Sequence, residues 1–102
     1  MILYVDIDET ICISPPDRDY SKAKPIFERI NKMNELYDEG NTIIYWTARG
    51  TGSGLDWKET TENQFKEWCV KYHELRLGKP TYDLFICDKA MNSDMFFKDN
   101  VF

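Results

Sequence analysis

The order of hydrophobic and polar positions divides the chain into strand-length and helix-length segments. Ile2-Leu3-Tyr4-Val5-Asp6-Ile7 is β-branched, aromatic and apolar on both faces, which predicts a first strand at the centre of a sheet. Ile13 to Asp19, "ISPPDRD", is a turn-rich loop whose two prolines cannot continue a strand interior. From Lys24 to Glu39, the residues Ile26, Phe27, Ile30, Met33, Leu36 and Tyr37 recur at three- and four-residue steps. That spacing predicts an amphipathic helix, with Pro25 in its first turn and Gly40 as its C-terminal cap.

Thr42 to Trp46 reads as a second buried strand ending at Thr47-Ala48-Arg49, and the glycine-rich loop Gly50 to Gly54 follows. A second helix is expected to open at Asp56, with Glu59 as its capping partner, and to run to about Lys71 with Trp57, Phe65, Trp68 and Cys69 partly buried. Tyr72 to Arg76 suits a short edge strand. "DLFIC", Asp83 to Cys87, is bounded by Pro80 and Asp88 and suits another buried strand. The tail from Asn92 to Phe102 has room for one helical turn.

Strand, helix, strand, helix, strand is the alternation of a parallel sheet with right-handed crossovers. The expected fold is a small Rossmann-like three-layer α/β/α sandwich with a mainly parallel sheet. At 102 residues, without repeats or linkers, the chain fits one domain. Ligands of such sheets bind beyond the carboxyl ends of the strands. The polar groups there are Asp6 and Asp8, Thr47 and Arg49, and Asp88, with Lys79 in the loop before the last strand.

Composition narrows the partners. Hydrophobic content of 42% is ample for a packed interior, and the net charge of −5 repels polyanions, so nucleic acid and anionic membranes are excluded as expected partners. A small phosphorylated substrate is compatible, because a few local cations set the potential inside one pocket. The three cysteines, Cys12, Cys69 and Cys87, form no CxxC pair, and they are expected to be buried small apolar groups. No disulfide framework, signal peptide or membrane span is expected, so the reading is a cytoplasmic protein.

Asp6 and Asp8 at one strand end require a compensating positive charge, or one of them is protonated. With Asp88 they form an oxygen-rich corner suited to Mg²⁺, which takes octahedral oxygen ligands at about 2.0–2.1 Å. A carboxylate beside a metal and a phosphate can act as a nucleophile and form an aspartyl-phosphate. A second acid then exchanges protons with the leaving oxygen and with water. Thr47 offers a hydroxyl donor and Lys79 a point charge for phosphoryl oxygens.

These residues resemble the haloacid dehalogenase superfamily of phosphohydrolases over essentially the whole chain. The first motif, DxDx(T/V), appears as Asp6-Ile7-Asp8-Glu9-Thr10, and the second, a Thr or Ser closing the next strand, as Thr47. The third-motif lysine matches Lys79 in "GKPTYD", and the acidic fourth motif matches Asp88 in "FICDKAMNSD". The resemblance implies Asp6 as nucleophile and Mg²⁺ ligand. It implies Asp8 as general acid/base and ligand through its main-chain carbonyl, Asp88 as the third ligand, and Thr47 and Lys79 on the phosphoryl group. The fourth motif often reads DD or GDxxxD. Cys87 either stands where a glycine would, leaving Asp88 its role, or replaces the first Asp and leaves the metal site one carboxylate poorer.

The segments Ile11 to Ser21 and Gly50 to Gly78 are too short for a cap domain. The chain therefore reads as a capless member. The stretches "YWTARG" and "GKPTYDLFICDKA" resemble small capless phosphatases of capsule and surface-sugar biosynthesis, a resemblance that implies a sugar phosphate as the leading substrate class, with a nucleotide as the alternative. An open site admits larger substrates or is covered by a neighbouring subunit in a homo-oligomer. Arg49 is a candidate substrate contact or the partner of an acid; Asp94 either caps a short helix or reaches the metal through water. Gly50 to Gly54 is either a mobile active-site loop or a plain connection. His73 and the tryptophans Trp46, Trp57 and Trp68 read as structural. Two other readings are a response-regulator receiver, disfavoured because the strand before Thr47 ends without an Asp, and a catalytically silent phosphate- or metal-binding module.

Overall fold

The computed structural model describes residues 1–99. In chain order its elements are β1 (Ile2–Val5), β2 (Cys12–Ile13), a 3-10 turn (Tyr20–Lys22), β3 (Lys24–Pro25), α1 (Phe27–Asp38), β4 (Thr42–Trp46), α2 (Lys58–Glu67), β5 (Glu74–Arg76) and α3 (Ser93–Asp99). The main sheet has the order β1-β4-β5 with both pairings parallel, and β2-β3 is a small antiparallel ladder. This is a small Rossmann-like α/β fold without a cap domain.

The elements follow from their side chains. β4 is the central strand, and its run Thr42-Ile43-Ile44-Tyr45-Trp46 places Ile43 and Tyr45 in the core beneath both long helices. Ile30, Met33 and Leu36 are the buried stripe of α1, and Phe65 of α2 enters the same cluster. Gly40, at φ +99°, closes α1: its N–H donates to Tyr37 O at 3.1 Å, and Asn41 N donates to Leu36 O. The opposite face of the sheet carries Ile2 and Tyr4, both exposed, with Arg76 of β5 donating to the Tyr4 hydroxyl at 2.7 Å. Among the described residues the apolar faces of α1 and α2 share one side of the sheet.

Several expected boundaries move. β1 ends at Val5 because residues 7–12 coil into a tight turn, with Ile11 N donating to Ile7 O at 2.9 Å and Glu9 at φ +62°. Pro25 belongs to β3 rather than α1, and α2 starts two residues late, although Asp56 still accepts a hydrogen bond from Lys58 N at 3.0 Å. β5 lies at the sheet edge as expected, and His73 is structural: its Nδ1 accepts from Ile43 N and its ring stacks on Tyr37.

The main correction concerns "DLFIC". Among the described residues Asp83 to Cys87 joins no ladder, and it is not buried; Leu84, Phe85 and Ile86 are 75%, 50% and 89% exposed. Every residue from Pro80 to Asn92 is exposed, so this stretch is an arm between the core and α3. α3 is two turns rather than one, and residues 100–102 of the tail lie outside the described residues. Cys12 is buried as expected, but Cys69 and Cys87 are exposed; all three are free thiols.

Candidate active site

Three of the expected residues meet where the parallel strands end. Asp6 follows β1 directly, Thr47 follows β4, and Lys79 is carried back over the sheet by a hydrogen bond from its N–H to Thr47 O at 3.0 Å. The Lys79 ammonium lies 3.6 Å from Asp6 Oδ2, and the other Asp6 oxygen accepts from Ile7 N at 2.9 Å. Burial pushes the Asp6 carboxyl above its ordinary value; Lys79 and the Ile7 N–H pull it down, and Asp8 pushes it up. The Gly50 to Gly54 loop holds this arrangement. Thr51 Oγ1 donates to Lys79 O at 2.8 Å, and Gly50, at φ +84°, packs so closely on the Leu55 carbonyl that a Cβ would collide with it.

Asp8 has a different environment. Arg49 grips it with Nη2 to Oδ1 at 2.8 Å and Nε to Oδ2 at 3.0 Å, while Ser14 Oγ and Cys12 Sγ also donate to Oδ1. The Arg49 side chain has no exposed surface. Its Nη1 donates to Thr61 Oγ1 and Gln64 Oε1, its remaining Nη2 hydrogen faces Cys12 Sγ, and Tyr20 covers its plane at 4.8 Å. All five guanidinium hydrogens are thereby used, so of its two readings Arg49 is the partner of an acid and has no donor left for substrate. Thr47 is 1% exposed, and its hydroxyl oxygen accepts from Arg49 N at 3.1 Å. Burial pushes the Cys12 thiol up to about 12, which leaves it inert.

Asp88 does not arrive. It sits on the exposed arm, and among the described residues no group of three or more His, Cys, Asp or Glu side chains is assembled. Asp94 is also elsewhere, paired with Arg29 on α1 at 2.7 Å. Of the three expected Mg²⁺ ligands, Asp6 and Asp8 stand at the strand ends and Asp88 does not, so a single chain presents an incomplete form of that oxygen set.

Sequence reasoning missed Ser14 as a support of Asp8 and Tyr20, Thr61 and Gln64 as supports of Arg49. A signal was present in α2: Thr61, Gln64, Phe65 and Trp68 share one face, and two polar residues on a buried stripe need a polar partner. A cavity of about 370 Å³ opens beside the site between Arg18 and Tyr20 on one side and Ala48, Gly50, Trp57 and Thr81 on the other. Neither this cavity nor a larger groove of about 610 Å³ between α1 and α3 is lined by Asp6, Asp8, Thr47 or Lys79, but the smaller one borders Thr47 through Ala48. No helix among the described residues is long and apolar enough to cross a membrane.

A small Rossmann-like α/β fold with acids and a lysine at its strand ends is thus the class this geometry defines. The chain is similar to a solved crystal structure of a target protein from Vibrio cholerae, with 25% identity and a TM-score of 0.83 over 98% of this chain and 89% of that one. No family model and no curated protein matches the chain.

Proposed function

We propose that the protein is a phosphohydrolase of small phosphomonoesters, a sugar phosphate foremost, working in the cytoplasm through an aspartyl-phosphate on Asp6. The observation that carries this reading is the Asp6–Lys79 pair at the mouth of the parallel sheet, 3.6 Å apart. Lys79 is placed to hold a phosphoryl oxygen, and Asp6 Oδ2 to attack phosphorus. Attack breaks the bond from phosphorus to the alcohol oxygen, which leaves with a proton as the free alcohol. Water then attacks the phosphorus, releases phosphate and restores the Asp6 carboxylate.

Asp8 is the proton-exchanging group of this scheme. Its Oδ1 accepts from Arg49, Ser14 and Cys12, whereas among the described residues Oδ2 accepts from Arg49 Nε alone, so Oδ2 is the oxygen with a lone pair left for a proton. Arg49 acts through Asp8 as a positioning residue. Thr47 holds the Arg49 turn and keeps its hydroxyl hydrogen for a phosphoryl oxygen. Mg²⁺ is the expected cofactor of the family resembled. In the chain taken singly, the charge opposite Asp6 is that of Lys79, and the steps above use this chain's own groups.

The test is phosphate release from p-nitrophenyl phosphate and a panel of sugar phosphates and nucleotides, with and without Mg²⁺. Turnover that Asp6→Asn and Asp8→Asn each abolish is the expected result. Turnover surviving Asp6→Asn excludes the covalent route, and no hydrolysis of any ester favours a binding module.

A further inference from the structure

Among the described residues β1 pairs with β4 alone, so its second edge presents unpaired backbone N–H and C=O groups. Among the described residues no strand covers that edge. Ile2-Leu3-Tyr4-Val5 contains no charge and no proline, and Ile2 and Tyr4 are 69% and 52% exposed. The arm carries the matching piece. Leu84-Phe85-Ile86-Cys87 is equally long, equally uncharged and outside every ladder, and Asp88 follows it as Asp6 follows β1. Tyr82, Met91 and Met95 extend its exposed apolar surface.

The chain cannot place this run in parallel on its own β1. Lys79 is pinned at the carboxyl end of the sheet by Thr47 O and Asp6. A parallel strand would have to begin at the amino end of β1, and only Pro80 to Asp83 are available for the return. Four extended residues reach about 13–14 Å, which the length of β1 alone uses up, and a parallel crossover with its two reversals takes about a dozen residues. The edge of a second copy imposes no return.

We propose that two copies of the chain exchange arms, Leu84 to Cys87 of each adding as a parallel strand beside β1 of the other. The arrangement is reciprocal and closes as a twofold dimer. It satisfies both open edges and buries both apolar arms. If the phosphohydrolase reading holds, a consequence rests on it: Asp88 of the second copy stands beyond the same strand end as Asp6 and supplies the carboxylate that a single chain lacks.

Sedimentation velocity on the full chain tests the interface without reference to activity. The expected species has twice the 12.1 kDa of the chain, and Ile86→Lys, which touches no core residue, weakens the dimer by about tenfold or more. Pairing is tested by oxidation in a Cys69→Ser, Cys87→Ser background. A Tyr4→Cys copy mixed with an Ile86→Cys copy gives a cross-linked dimer if arms are exchanged. A monomer throughout, or cross-linking only within a chain that carries both new cysteines, overturns the proposal. A dimer without hydrolysis leaves the interface standing and defeats the phosphohydrolase reading, and a hydrolysing monomer does the reverse.

Discussion

Ile43 and Ile86 are the same residue in similar short apolar runs, yet Ile43 is fully buried and Ile86 is 89% exposed. Ile43 lies in β4, which has a strand on each edge and helices over its inner face. Ile86 lies in a run that leaves the carboxyl end of the sheet with four residues of slack and no crossover. Composition gives both runs the same tendency to be buried; connectivity decides which one its own chain can bury. The same division separates Asp6 and Asp8, held by the core, from Asp88, carried on the arm.

Substitutions should separate the two regions sharply. Arg49→Met has the largest expected effect. It removes the cation that faces Asp8 and the donor to Gln64 Oε1, and it should cost about 3 kcal/mol in a denaturant melt. A loss below about 1 kcal/mol would mean that the network does not hold the core together. Next is Tyr45→Phe, with the opposite sign. Among the described residues the buried Tyr45 hydroxyl has no hydrogen-bond partner, so its removal should raise stability by about 1 kcal/mol. Leu84→Ser, measured at a concentration low enough for monomer, should change stability by less than about 0.5 kcal/mol, because Leu84 is 75% exposed.

Asp6→Asn should have a small stabilising effect. The folded carboxyl titrates above its unfolded value of 3.8, so the folded state binds more protons between those two values. Stability therefore falls as pH rises through that window, and the ionised group costs stability above it. The side chain keeps 43% exposure, which limits the gain to a slight rise in Tm at neutral pH that disappears below pH 3.8.

The core was largely legible in the sequence. The periodicity of Ile30, Met33 and Leu36 and the run from Thr42 to Trp46 each match one element, because in both cases local pattern and tertiary burial agree. Asp6 could be read from its position at the end of an apolar run, and Lys79 from the motif it matches, although among the described residues the strand expected after it does not form. Which of its two readings Arg49 follows could not be read, because its five bonds join two distant stretches of chain, the turn after β1 and α2. The arm misled for a related reason: an apolar run states what must be covered but not which chain covers it.

The account stands on Asp6 attacking phosphorus while Lys79 faces it, and the pH dependence of phosphate release tests that most directly. In the wild type, turnover should fall on the acid side at a pH above 3.8, since burial raises the Asp6 carboxyl. In Lys79→Met the residual turnover should fall at a still higher pH, because the cation that lowers Asp6 is gone. An acid limb that stays in place without Lys79, or that persists in Asp6→Asn, would contradict the account.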